Sequence, residues 1–173
     1  MILCDKSLTR FAKYWMKGVD EDNIQPNSID LCLDGNKGCI TPPLLSNTRC
    51  DKFEELIIPP NELVLVSTKE LVCVPSTHCC RVEGKSSLGR IGLLTHITAG
   101  FIDSGFKGNI TLELYNVGKY PIRLHNGCKI AQLVVEKLDD AVENLYSGNY
   151  FGQDKVTPSV HEHNFDGSTY EVW

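Results

Sequence analysis

Eight short apolar runs follow one another between residues 29 and 135, at 29–33, 56–58, 63–67, 71–74, 91–95, 110–115, 122–124 and 130–135, with glycine, proline or asparagine turns between them. None is long enough for more than a strand. That cadence predicts an all-β barrel or jelly roll with little helix. The clearest run is 109–115, where Ile110, Leu112 and Leu114 alternate with Thr111, Glu113 and Tyr115. A repeat of two belongs to a half-buried strand, so Glu113 shares the face of Thr111 and Tyr115, away from the core.

One helix is expected, over residues 7–17, where Leu8, Phe11, Ala12 and Trp15 recur at helical spacing, with Ser7 as N-cap and Gly18 as the stop. Residues 34–50, rich in glycine and proline, read as a long surface excursion within one domain. A short helical turn is expected over residues 139–145. The chain is thus a single domain spanning 1–173, whose polar residues 146–173 form a mobile tail.

No apolar run approaches the roughly 20 residues of a membrane helix. Residues 1–6 also lack the basic start and apolar centre of a signal peptide, so an intracellular, cytoplasmic protein is expected. In a reducing compartment the eight cysteines stay free thiols, most of them small core fillers. A formal net charge of -5 argues against general nucleic-acid binding. It leaves room for a nucleotide, which needs only a local cluster of donors such as Lys85 and Arg90.

Gly84-Lys85-Ser86 ends like a phosphate loop, but Cys79 stands where that motif needs its first glycine, so a Walker site is rejected. Zinc-dependent deamination needs an HxE pair with PCxxC; no PCxxC occurs, and His161-Glu162-His163 has no partner cysteines. A lone glutamate on a strand is ordinarily a solvated carboxylate. What raises Glu113 above that reading is its company in residues 83–116.

There the chain reads Gly84-Lys85-Ser86-Ser87-Leu88-Gly89-Arg90, then Thr95-His96-Ile97-Thr98-Ala99-Gly100-Phe101-Ile102-Asp103, then Gly105-Phe106-Lys107-Gly108, then Ile110-Thr111-Leu112-Glu113-Leu114. This resembles the dCTP deaminase family of the trimeric dUTPase-like superfamily. Gln25-Pro26-Asn27-Ser28-Ile29-Asp30-Leu31 and Gly127-Cys128-Lys129-Ile130-Ala131-Gln132-Leu133 resemble the same family, as does, more weakly, the stretch 146–159.

The resemblance implies a dUTPase-like distorted barrel, a homotrimer with active sites between subunits, and hydrolytic deamination of dCTP to dUTP and ammonia. In that reading Glu113 is the general base and proton shuttle. Ser86 and Arg90 fix the attacking water, with Arg90 arriving from a neighbouring subunit. Ser86, Ser87 and the backbone N–H groups of their turn meet phosphate, Lys85 and Arg90 are further substrate contacts, His96 forms the base or wall of the pocket, and the backbone around Thr98 and Ala99 reads the cytosine amino group. Asp103, Thr111, Gln132, Tyr146 and Gln153 complete the substrate contacts. Magnesium accompanies the triphosphate; the protein holds no zinc.

Gly100-Phe101-Ile102-Asp103 is more similar to the aspartate turn of dUTPases, which activates water toward phosphorus. A bifunctional enzyme that forms dUMP is therefore the alternative, followed by dUTP diphosphatase alone. A nucleotide-binding regulatory module is the non-enzymatic alternative. The tail departs from the family at Asn149, where relatives carry lysine; Lys155 is the nearby cation.

Overall fold

The computed structural model describes residues 1–42, 49–96, 98–161 and 168–169. In chain order the elements are α1 (Asp5–Trp15), β1 (Met16–Lys17), β2 (Ile29–Cys32), β3 (Cys39–Ile40), β4 (Arg49–Cys50), β5 (Glu55–Ile58), β6 (Leu63–Cys73), β7 (His78–Gly84), α2 (Ser86–Gly89), β8 (Leu93–Thr95), β9 (Phe101–Ile102), β10 (Lys107–Asn116), β11 (Ile122–His125) and β12 (Lys129–Lys137). The expected all-β fold is what forms. No described helix is long and apolar enough to cross a membrane.

One sheet runs β4-β3-β6-β10-β8, with β1 also pairing β6; a second runs β2-β12-β7-β9, and β11 pairs β5. The core draws on both larger sheets: Val64 and Val66 of β6 and Ile110, Leu112 and Leu114 of β10 from one, Ile29, Leu31, Val82, Leu133 and Val135 from the other. Leu8 and Phe11 of α1 join the same core, which is the packing role its apolar spacing predicts. The alternation at 110–115 holds: the three apolar side chains are buried, while Thr111, Glu113 and Tyr115 are half-buried on the other face.

Several expectations need correction. The helix lies two residues earlier at each end, with Cys4 and not Ser7 at the N-cap. Met16 and Lys17 leave it to pair with Leu71 and Val72, so strand pairing, not Gly18, ends α1. The runs at 63–67 and 71–74 are one strand, β6. β7 falls where no strand is expected. The excursion at 34–50 is only partly superficial: a 3-10 turn at Gly35–Lys37 and β3 contribute buried Gly35, Cys39 and Ile40, while 43–48 lies outside the described residues. No helical turn forms at 139–145. The backbone there is tied sideways, Leu138 N–H to Thr77 O (2.9 Å) and Val142 N–H to Ser76 O (2.9 Å), which holds it out of a helix.

Candidate active site

β10 carries Glu113 into a cavity of about 570 Å³, and the same cavity is lined by His96, Ala99, Asp103, Thr111, Tyr146 and Gln153. Seven of the residues expected from sequence thus meet in one chain. His96 follows β8, the neighbour of β10, and takes a left-handed backbone conformation (φ 53°) that costs a non-glycine residue strain. Its N–H donates to Glu113 O at 2.8 Å, which fixes it there. Its ring then stands with Nδ1 2.8 Å from Glu113 Oε2, outside hydrogen-bond alignment. The imidazole is nearly buried (9% exposed) and the carboxylate is 40% exposed, so Glu113 has one side packed and one side open to the cavity.

Lys85, Ser86, Ser87 and Gln132 line a second cleft of about 510 Å³, and His96 is the expected residue common to both. Arg90 and Thr98 are exposed and line neither. Within one chain Ser86 and Arg90 are therefore not brought to Glu113. The lining of the Glu113 cavity includes no lysine or arginine among the described residues, whereas the second cleft includes Lys85.

Sequence reasoning names Lys85 but misses what holds it. Asp30 on β2, Gln132 on β12 and Glu83 on β7 stand in one cross-strand row. Lys85, just past the end of β7, reaches over that row to pair with Asp30 Oδ1. Lys129 Nζ lies 3.2 Å from Asp30 Oδ2, and Gln25 Nε2 donates to the same oxygen at 3.3 Å. Asp30 is only 3% exposed, so its buried charge is balanced by two cations. Lys85 is thus a strap that pins the start of the Ser86–Ser87 turn. The one sequence signal is the charge at Asp30 in the middle of the apolar 29–33 run.

The C-terminal segment crosses the Glu113 cavity. Asn109 N–H donates to Gln153 O (2.9 Å), Gly152 N–H to Lys107 O (2.6 Å) and Thr157 N–H to Thr111 Oγ1 (3.1 Å), while Val156 is buried against Ile40 and Leu65. A side chain at position 108 would place Cβ 2.7 Å from Gln153 O, and φ there is 156°, so the segment can lie this close only over glycine. Tyr146 packs its ring on Phe106, centroids 6.0 Å apart, and forms an aromatic wall. His161 also lines the cavity; Glu162 and His163 lie outside the described residues.

All eight cysteines are free thiols, and Cys32, Cys39, Cys79 and Cys80 are buried, as expected of core fillers. No group of three or more His, Cys, Asp or Glu side chains placed to hold a metal ion occurs among the described residues.

A family model described as dCTP deaminase-like matches residues 5–138. The chain belongs to that family. It is 39% identical over 186 residues to the dUMP-forming dCTP deaminase of Thermobifida fusca, covering 95% of each chain. To the dUMP-forming dCTP deaminase of Mycobacterium tuberculosis it is 41% identical over 195 residues, covering 98% of this chain and 100% of that one. Among solved structures, 2'-deoxycytidine 5'-triphosphate deaminase from Agrobacterium tumefaciens superposes with a TM-score of 0.68 at 21% identity, over 79% of this chain and 48% of that one. The EIAV dUTPase superposes at 0.53 with 26% identity, over 77% and 93%. The dUTPase-like fold expected from sequence is therefore the fold observed.

Proposed function

We propose that the chain deaminates dCTP by hydrolysis and carries the dUTP on to dUMP. The observation that carries this is Glu113, half-open to the cavity and flanked by His96 Nδ1 at 2.8 Å. In the first reaction Glu113 takes a proton from water as the water oxygen bonds to C4 of cytosine, and passes it to N3. The proton of the new C4 hydroxyl is then carried to the amino nitrogen, the C4–N4 bond breaks, and ammonia leaves behind a C4 carbonyl. In the second reaction Asp103 activates a water toward the α-phosphorus, and the bond to pyrophosphate breaks. The names of the relatives, dUMP-forming dCTP deaminases, support this two-step reading over one that stops at dUTP.

The separation of the two clefts supports a site shared between subunits. The Glu113 cavity needs cations for a triphosphate, and Lys85, Ser86, Ser87 and Arg90 lie elsewhere on the same chain. In a homotrimer the turn of one subunit meets the cavity of the next: Ser86 and Ser87 take phosphate, and Ser86 and Arg90 hold the attacking water. The backbone at Thr98 and Ala99 reads the amino group; Thr111, Gln132, Tyr146 and Gln153 close around the nucleotide. Magnesium arrives with the triphosphate, whose oxygens are its ligands, and the enzyme works in the cytoplasm.

The test is to incubate the protein separately with dCTP and with dUTP, plus magnesium, and to identify products by chromatography. Ammonia and dUMP from dCTP, and dUMP with pyrophosphate from dUTP, are expected. Accumulation of dUTP would end the second reaction, and unchanged dCTP with tight binding would make the protein a nucleotide-binding module.

A further inference from the structure

At the edge of the six-stranded sheet two thiols face each other. Cys39 of β3 and Cys50 of β4 are direct partners in antiparallel register. Directly opposed residues in such a ladder stand about 4.5–5.5 Å apart at Cα, within the roughly 4.4–6.8 Å that a disulfide spans. Register partners also point to one face of the sheet, which places the two thiols side by side. Among the described strands, no other cysteine has a cysteine as its register partner.

Their surroundings differ. Cys39 is 7% exposed, and burial pushes its thiol up to about 11. Cys50 is half-buried, its thiol donating to Lys52 O at 2.9 Å near the surface. The accessible sulfur is the one an oxidant meets first, and the buried one is placed to resolve it.

We propose that Cys39 and Cys50 form a thiol–disulfide modification site whose oxidant is a low-molecular-weight disulfide. The Cys50 thiolate attacks one sulfur of the oxidant, whose S–S bond breaks, and the expelled thiolate takes up the proton Cys50 has shed. Cys39 then loses its proton and attacks Cys50 Sγ, expelling the second small thiolate, which takes that proton. The protein loses two hydrogens and the small disulfide becomes two thiols. The bridge would lie one residue from Ile40, which packs on Leu65 and Val156, and three from Pro42, which lines the Glu113 cavity. Oxidation thus ties β4 to the strand on which the C-terminal segment is seated. This site stands independently of the nucleotide chemistry.

The test uses the full-length reduced protein incubated with oxidised glutathione, then alkylation of the remaining thiols, proteolysis without reductant and mass spectrometry. The expected first intramolecular product is a Cys39–Cys50 linked peptide, with the other cysteines alkylated. Cys39→Ser is expected to stop with glutathione attached to Cys50, and Cys50→Ser to leave Cys39 free. A different pair linking first, a wild-type protein that stops at the mixed disulfide, or no reaction at Cys50 overturns the proposal.

Discussion

Replacing Glu113 by glutamine separates chemistry from binding. The amide keeps the shape of the carboxylate, and the side chain is 40% exposed, so no buried charge is stranded by the change. The substitution weakens the pairing with His96 Nδ1 at 2.8 Å, and a part-exposed pair of this kind contributes about 0–1 kcal/mol. The melting temperature should therefore move by little. An amide cannot take a proton from water, however, and a positioned general base contributes about 10²–10⁴-fold. At about 1.36 kcal/mol per tenfold, that is roughly 2.7–5.5 kcal/mol on the barrier to deamination. Two measurements are needed: ammonia release at saturating dCTP, and dCTP affinity by calorimetry. Glu113→Gln should bind dCTP within a few-fold of wild type and lose ammonia release by at least a hundredfold. Turnover within tenfold of wild type would falsify the role of Glu113, and a folded variant that no longer binds dCTP would make it a binding residue.

Asp30→Asn leaves Lys85 and Lys129 without their shared counter-charge and should cost about 1–3 kcal/mol in a denaturant titration; an unchanged midpoint would show that the lysines need no partner. Glu70 is fully buried, and desolvation raises its pKa although the Cys32 N–H donates to it at 2.9 Å. A raised carboxyl binds its proton more tightly in the folded state, so stability falls as pH rises from the ordinary carboxylate range through the raised value. The melting temperature of Glu70→Gln relative to wild type should therefore increase across that window, and a difference that does not vary with pH would rule this out. Asn149→Lys puts a cation on an exposed turn of the C-terminal segment and should lower the Michaelis constant for dCTP several-fold with kcat little changed; equal Michaelis constants would separate that position from phosphate binding.

The strands that can be read from sequence are those that alternate, like β10, or carry a short apolar run, like the fully buried β2. β10 alternates because its outer side chains reach a cavity, and its inner ones are Ile110, Leu112 and Leu114. β6 reads as two strands because Ser67, Thr68 and Glu70 interrupt its apolar run, yet all three are buried. The register between β6 and β10 shifts at Asn109/Thr111, and a shift leaves backbone groups unpaired. Asn109 Nδ2 donates to the carbonyls of Thr68, Lys69 and Glu70, and Thr68 Oγ1 accepts from Ile110 N–H. Polar residues are in the core there because the bulge needs them. β7 is hidden for another reason: Cys79 and Cys80 are both buried on opposite faces, while Arg81 lies 2.8 Å from Glu136 on the next strand. Neither alternation nor an apolar run marks such a strand.

For the site, local pattern reaches as far as Glu113 and its neighbours, because His96 and Glu113 are held together by adjacent strands of one sheet. It cannot supply Asp30, 55 residues before Lys85 in the chain. That pairing exists only because β12 inserts between β2 and β7 and sets Asp30, Gln132 and Glu83 side by side. The strap has a consequence for charge. Lys85 and Lys129 offset Asp30 and Glu83 beside the Ser86–Ser87 turn, while the Glu113 cavity adds two carboxylates and no lysine or arginine from the described residues. A polyanionic nucleotide therefore meets less repulsion at the first surface than at the second. In the homotrimer proposed above, Lys85 and Arg90 of one copy would meet the Glu113 cavity of the next, the arrangement that supplies that cavity with the cations its own lining lacks.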